Sequence, residues 1–242
     1  MSLLVLMYHR ARPGRDGNSA EMLERHFRHI AAHCRNVLPG DALAAGAPNV
    51  CLSFDDGYFD FQTVVFPLLR KFGLRALLAI SPAVLREWVE ASPEERLAVP
   101  TEECFIHPRR GGFCTWPELQ AMADSGHVAI AAHGYTHARL DLPAANLATE
   151  VHLPKIVLDS RLPRPTESFV FPFGRYSRKS LEETRTAYRY VFRIGSAANQ
   201  GWDDGLLYRI CADGMSAPSE HFSSGRMAIY RARFFWNRLR GK

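Results

Sequence analysis

Short apolar runs alternate along this 242-residue chain with stretches of helical spacing. Residues 3–8, 50–54, 76–80, 127–132, 168–171 and 190–194 read as strands with little polar face, the pattern of strands covered on both sides. Residues 20–33, 61–72, 115–126, 143–159 and 177–187 carry helical patterns between them. In the first, Met22, Leu23, Phe27 and Ile30 recur at helical spacing. Gly73 stops the second, and Thr115 caps the third, with Pro117 and Glu118 in its first turn. This order predicts an α/β fold with a mainly parallel sheet or barrel. In such folds, sites form at the carboxyl ends of the strands.

The chain is 47% hydrophobic and 23% charged, which suits a single globular domain over residues 1–242 and argues against global disorder. Residues 86–114 interrupt the alternation with Pro93, Pro100, Pro108 and Gly111-Gly112, and read as a lid-like insertion. The net charge is +5, and Arg226, Arg231, Arg233, Arg238, Arg240 and Lys242 crowd the C-terminus. Such charge is a solvated surface or a contact for an anionic membrane, a phosphorylated substrate or nucleic acid. No nucleic-acid-binding motif accompanies it, so no nucleic-acid partner is expected. The five cysteines lack CxxC spacing, which excludes a disulfide framework or zinc ribbon and fits a reducing compartment. The apolar run at residues 3–7 is too short for a secretory signal and no run reaches transmembrane length, so a cytoplasmic location is expected.

Two segments carry chemistry. Asp55-Asp56-Gly57 stands directly after the 50–54 strand, and His133-Gly134-Tyr135-Thr136-His137 directly after the 127–132 strand. Asp-Gly alone is a turn signal, but a turn does not need two adjacent carboxylates, and a cation relieves their repulsion. One carboxylate and two imidazoles are ligands suited to a divalent ion, and the spare carboxylate is placed to act as a base. His29 and His33 share the HxxxH spacing but sit on a predicted helix without an acidic partner motif, so they read as a surface pair.

Leu52-Ser53-Phe54-Asp55-Asp56-Gly57 resembles the first signature of the polysaccharide deacetylases, the NodB-homology carbohydrate esterases. His133 through Leu140 resembles the second, and Phe171-Pro172-Phe173-Gly174-Arg175-Tyr176 the third. The Leu6-Met7-Tyr8-His9 opening and the Thr115-Trp116-Pro117-Glu118-Leu119 helix start are similar to the branch acting on poly-N-acetylglucosamine. The resemblance spans residues 3 to about 212. It implies a distorted (β/α) barrel with fewer than eight repeats. It also implies a divalent metal on Asp56, His133 and His137: zinc first, with Co2+, Ni2+ or Fe2+ as alternatives. Asp55 matches the family's general base, and the backbone N–H of Phe173 its oxyanion donor beside the metal. Tyr58, Pro172, Arg175 and Tyr176 are candidate substrate contacts.

Two departures stand out. Val170 occupies the position where the family often has an arginine orienting the base, so another group must hold Asp55. The late Leu–His motif that supplies the general acid is missing, leaving His9, at the end of the first strand, and His221 as candidates. In the insertion, His107, Arg109 and Arg110 read as a phosphate clamp or an exposed run. The C-terminal stretch 227–242 reads as a helix docked through Ile229, Tyr230 and Phe234, or as an interfacial anchor for an anionic bilayer at the inner membrane face. The expected function is removal of N-acetyl groups from an amino sugar in a glycan or glycolipid. The alternatives are a deformylase or amidohydrolase on a lipid-linked sugar, and a catalytically silent carbohydrate-binding homologue.

Overall fold

A computed structural model describes residues 2–14 and 16–240. Among the described residues eight parallel strands form one sheet: β1 (Leu3–Tyr8), β2 (Arg35–Asn36), β3 (Asn49–Phe54), β4 (Ala76–Ile80), β5 (Val128–Ala132), β6 (Ser168–Val170), β7 (Tyr190–Ile194) and β8 (Leu207–Cys211). β1 pairs with both β3 and β8, so seven strands close into a barrel. β2 is extra: it pairs with Asn49 and Val50 at the start of β3, before β4 joins at Leu52. The expected barrel of fewer than eight repeats is what forms.

Side-chain alternation explains the apolar runs. Leu3, Val5, Cys51, Leu77, Ala131 and Leu207 point inward and fill the barrel. Their neighbours Leu4, Leu6, Leu52, Leu78, Val191 and Ile210 point outward into the helical layer. Both faces are dry, so neither shows a polar stripe. The inward register continues at the carboxyl end: two residues beyond Cys51, Ala131 and Leu207 come Ser53, His133 and Arg209, and two beyond Ser53 comes Asp55.

The helices are α1 (Ala20–His33), α2 (Phe66–Phe72), α3 (Pro93–Ala98), α4 (Thr101–Cys104), α5 (Trp116–Asp124), α6 (Leu153–Arg161), α7 (Arg178–Ala187) and α8 (Ser224–Leu239). Ser19, Thr115 and Ser177 cap α1, α5 and α7 through side-chain bonds to backbone N–H groups. The helix expected over 143–159 starts later, as a π-helical turn at Ala148–His152 leading into α6. The Asn146 side chain accepts from the Thr149 N–H and fixes that start. α8 docks through Met227, Tyr230 and Phe234, whereas Ile229, expected inside, faces solvent. Gly241 and Lys242, the end of the basic segment, lie outside the described residues. Among the described residues no helix is long and apolar enough to cross a membrane.

The 86–114 insertion is a pinned structure carrying α3 and α4. Arg96, buried, donates two bonds to the Glu118 carboxylate (2.7 and 2.9 Å) and one each to the carbonyls of Gly111 and Phe113 (both 2.9 Å). Its guanidinium also lies 3.4 Å from the centre of the Phe59 ring. One side chain thus ties α3, the loop before α5 and the helix itself together. Arg96→Met should lower stability by about 2–3 kcal/mol, because it leaves buried acceptors unpaired. Urea unfolding measures this, and an unchanged midpoint would contradict the role given to Arg96.

Candidate active site

The acidic pair leaves β3 through a tight backbone turn. Asp55 N–H donates to the carbonyl of Tyr8 (2.9 Å), and Asp56 takes a left-handed conformation (φ 70°). That conformation is uncommon outside glycine, though Asp tolerates it better than most residues. It sends two successive carboxylates toward the same cleft. On the other side, His133 N–H donates to the carbonyl of Ile80 (2.8 Å). The imidazole Nδ1 lies 2.7 Å from the carbonyl of Val170, which can only accept, so Nδ1 carries the proton and the Nε2 lone pair faces the aspartates.

Glu150, buried, shapes the HxxxH loop. It accepts from the N–H groups of Tyr135 (2.9 Å) and Thr136 (3.1 Å) and from the Thr136 hydroxyl (2.6 Å). Gly134 has φ 72°, and a Cβ there would stand 2.9 Å from a Glu150 oxygen. Glycine at position 134 therefore suits this loop. His137, itself left-handed (φ 64°), is flanked by the rings of Phe105 (4.4 Å, stacked) and Phe173 (4.6 Å).

Asp56 Oδ1 lies 3.4 Å from His137 Nε2 and 3.6 Å from His133 Nε2. One ligand atom from each residue lies within 4.8 Å of the others. Burial pushes both imidazoles down to about 4, so they are neutral ligands at ordinary pH. Burial also raises the Asp56 carboxyl. Its Oδ1 is buried with no hydrogen-bond partner among the described residues, which is costly unless something binds there. An orphaned anionic oxygen facing two imidazole lone pairs fits a divalent cation.

Asp55 is treated differently. Burial alone would raise its carboxyl, but Arg209 overrides this with two bonds (2.5 and 2.9 Å), and the group sits well below the usual carboxylate range. Arg209 also donates to the Ser53 hydroxyl (3.2 Å). Across the cleft, His9 Nε2 lies 3.7 Å from Asp55 Oδ2. Asp213 receives the His9 backbone N–H (3.0 Å) and sits 2.6 Å from its Nδ1. Burial by itself would lower His9, but the Asp213 bond and the nearby carboxylates raise it to about 9.

His9, Asp55, Asp56, His133, His137 and Arg209 line one cleft of about 460 Å3, with Tyr58, Phe105 and Phe173 among its further walls. Other expected contacts lie elsewhere. His221 is buried against α8, its Nδ1 2.9 Å from the Tyr230 hydroxyl, and does not reach the cleft. His107, Arg109 and Arg110 line a separate cleft, because the turn at Pro108–Arg110 carries them away and Arg110 pairs with Glu103. Pro172 is buried near the His loop, and Arg175 is exposed outside the cleft lining. Tyr176 stacks on Phe171 (5.1 Å) and lines another groove. Sequence reasoning missed Arg209, Asp213 and Glu150. The available signal for Arg209 was a cation inside an otherwise apolar pentapeptide, Leu207–Cys211.

The polysaccharide deacetylase family model matches residues 43–191, more than half of the chain. No curated protein matches it in sequence. Among solved structures it is similar to IcaB from Ammonifex degensii (TM-score 0.69, 22% identity, 88% of this chain and 92% of that one). It is also similar to a de-N-acetylase from Aggregatibacter actinomycetemcomitans (TM-score 0.71, 18% identity, 95% and 100%). A third is BC0361, a polysaccharide deacetylase from Bacillus cereus (TM-score 0.71, 19% identity, 95% and 69%). At these identities the structures speak for the fold, while the family model covers both the acidic and the histidine motif, and the chain belongs to the polysaccharide deacetylase family.

Proposed function

We propose that the chain is a metal-dependent hydrolase that removes N-acetyl groups from an amino sugar in a glycan or glycolipid. One observation carries the reading: an unpartnered Asp56 oxygen faces two neutral imidazoles, while the adjacent Asp55 is kept ionised by Arg209. The family membership and the IcaB-like fold support the substrate class.

Asp56, His133 and His137 would hold a divalent cation, zinc being the best fit to this donor set, which supplies Lewis-acid polarisation of the amide carbonyl and acidifies a water. Asp55, anionic and fixed by Arg209, accepts the proton of the attacking water. The N–H of Phe173, on the rim of the cleft, donates to the developing oxyanion. Asp213 accepts the His9 Nδ1–H and keeps the imidazole protonated, and Nε2, on the side that faces Asp55, delivers its proton to the leaving amine nitrogen. Arg209 does for Asp55 what the missing motif-three arginine does elsewhere in the family. Phe173 and Phe105 offer apolar faces against which a sugar ring can stack.

Acetate release from N-acetylglucosamine oligomers and lipid-linked N-acetyl sugars should occur and should stop with a chelator; release that survives metal stripping would refute metal dependence. Asp55→Asn should keep the metal and lower kcat by roughly 10²–10⁴-fold. Asp56→Ala and His133→Ala should lose the metal as well, as measured by metal content after gel filtration. Full turnover in Asp55→Asn would end the general-base assignment. With His9 as acid, kcat/KM should fall as pH rises through about 9. Asp213→Asn removes the anion that raises His9, so this alkaline limb should move to lower pH; a limb that stays put would exclude His9.

A further inference from the structure

α8 has two apolar faces, and only one of them is used. Met227, Tyr230 and Phe234 are buried against the barrel. At about 100° per residue, Phe235, Ala228, Leu239, Ala232, Trp236 and Ile229 follow one another around the opposite side. This second stripe is open to solvent: Leu239 is 83% exposed, Phe235 59%, Trp236 56% and Ile229 49%. Arginines border it on both edges, Arg231 and Arg238 on one, Arg226, Arg233 and Arg240 on the other. No Asp or Glu occurs from Phe222 to Arg240. Arg226 pairs with Glu220, and among the described residues the other four form no ion pair.

A solvated surface helix shows charge, not tryptophan and phenylalanine, on its outward face. We propose that the outward face of α8 docks the enzyme on an anionic lipid bilayer. The helix lies in the plane of the surface, with the apolar stripe in the upper acyl region and the flanking arginines at the lipid phosphates. A tryptophan within the stripe suits the interface between headgroup and chain. The charge pattern decides between occupants. A second copy meeting this face across a two-fold axis would set arginine edges against arginine edges, whereas an anionic bilayer neutralises both at once. The inference rests on α8 alone and does not depend on the hydrolytic reading.

The test is co-sedimentation of the full chain with vesicles of phosphatidylcholine alone and of phosphatidylcholine mixed with phosphatidylglycerol. Pelleting is expected with the mixed vesicles and not with the neutral ones, and should weaken as salt rises. Phe235→Ser/Trp236→Ser/Leu239→Ser should weaken it by at least about tenfold, since three large exposed side chains no longer insert. Arg231→Glu/Arg233→Glu should do so while leaving every side chain of the apolar stripe, and the Arg240 guanidinium over Trp236, in place. Both variants change exposed positions and should keep the wild-type thermal transition. Equal pelleting on neutral vesicles, no pelleting, or pelleting unaffected by both variants would overturn the proposal. So would a lipid-free dimer in analytical ultracentrifugation that the triple substitution dissolves, which would give the face to a second copy.

Discussion

Two adjacent carboxylates buried at one strand end cannot both remain charged unless their surroundings compensate each of them. The rest of the site follows from how that is arranged. Arg209 neutralises Asp55 through paired bonds and leaves it ionised. Asp56 has no such cation and keeps an unpartnered oxygen directed at two imidazoles. Burial keeps those imidazoles neutral. The asymmetry divides the labour within the pair: one carboxylate is saturated by the protein, and its neighbour is left open for a ligand.

The barrel makes this arrangement possible. Because strand side chains alternate and seven parallel strands close on themselves, each strand delivers its inward residues to one shared axis. Lower down these are Val5, Cys51, Leu77 and Ala131, a dry core. Toward the carboxyl end the inward register passes from Cys51 to Ser53 and Asp55, from Ala131 to His133 and from Leu207 to Arg209. The apolar layers beneath exclude water from below, which strengthens every charge interaction at the rim. Loop chemistry completes the placement: Glu150 gathers the N–H groups of Tyr135 and Thr136, and the insertion held by Arg96 brings Phe105 over His137.

Much of this was legible in the sequence, for definite reasons. Strands covered on both faces announce themselves as apolar runs, so β1, β3, β4, β5 and β7 were readable at nearly their true bounds. The acidic pair and the HxxxH were legible because they directly follow such strands. β8 was not, because Arg209 breaks its apolar run, and the residue that hid the strand is the one that secures Asp55. Asp213 was invisible for another reason: it lies about two hundred positions from His9, and only the closure of β1 against β8 brings them together. His221 resembled an acid candidate by its place in the sequence alone, and the turn before α8 buries it against Tyr230. Ile229 fell on the wrong face because two apolar stripes on one helix give no indication of which is inward.

The central claim is that Asp56, His133 and His137 share one cation while Asp55 stays off it. An anomalous difference map at the zinc edge, from crystals grown with zinc, tests this most directly. The account predicts one peak at about 2.0–2.2 Å from an Asp56 oxygen and from the Nε2 atoms of both histidines, with Asp55 still paired to Arg209. A peak on the His29–His33 pair alone, or one ligated by Asp55 in place of Asp56, would contradict it.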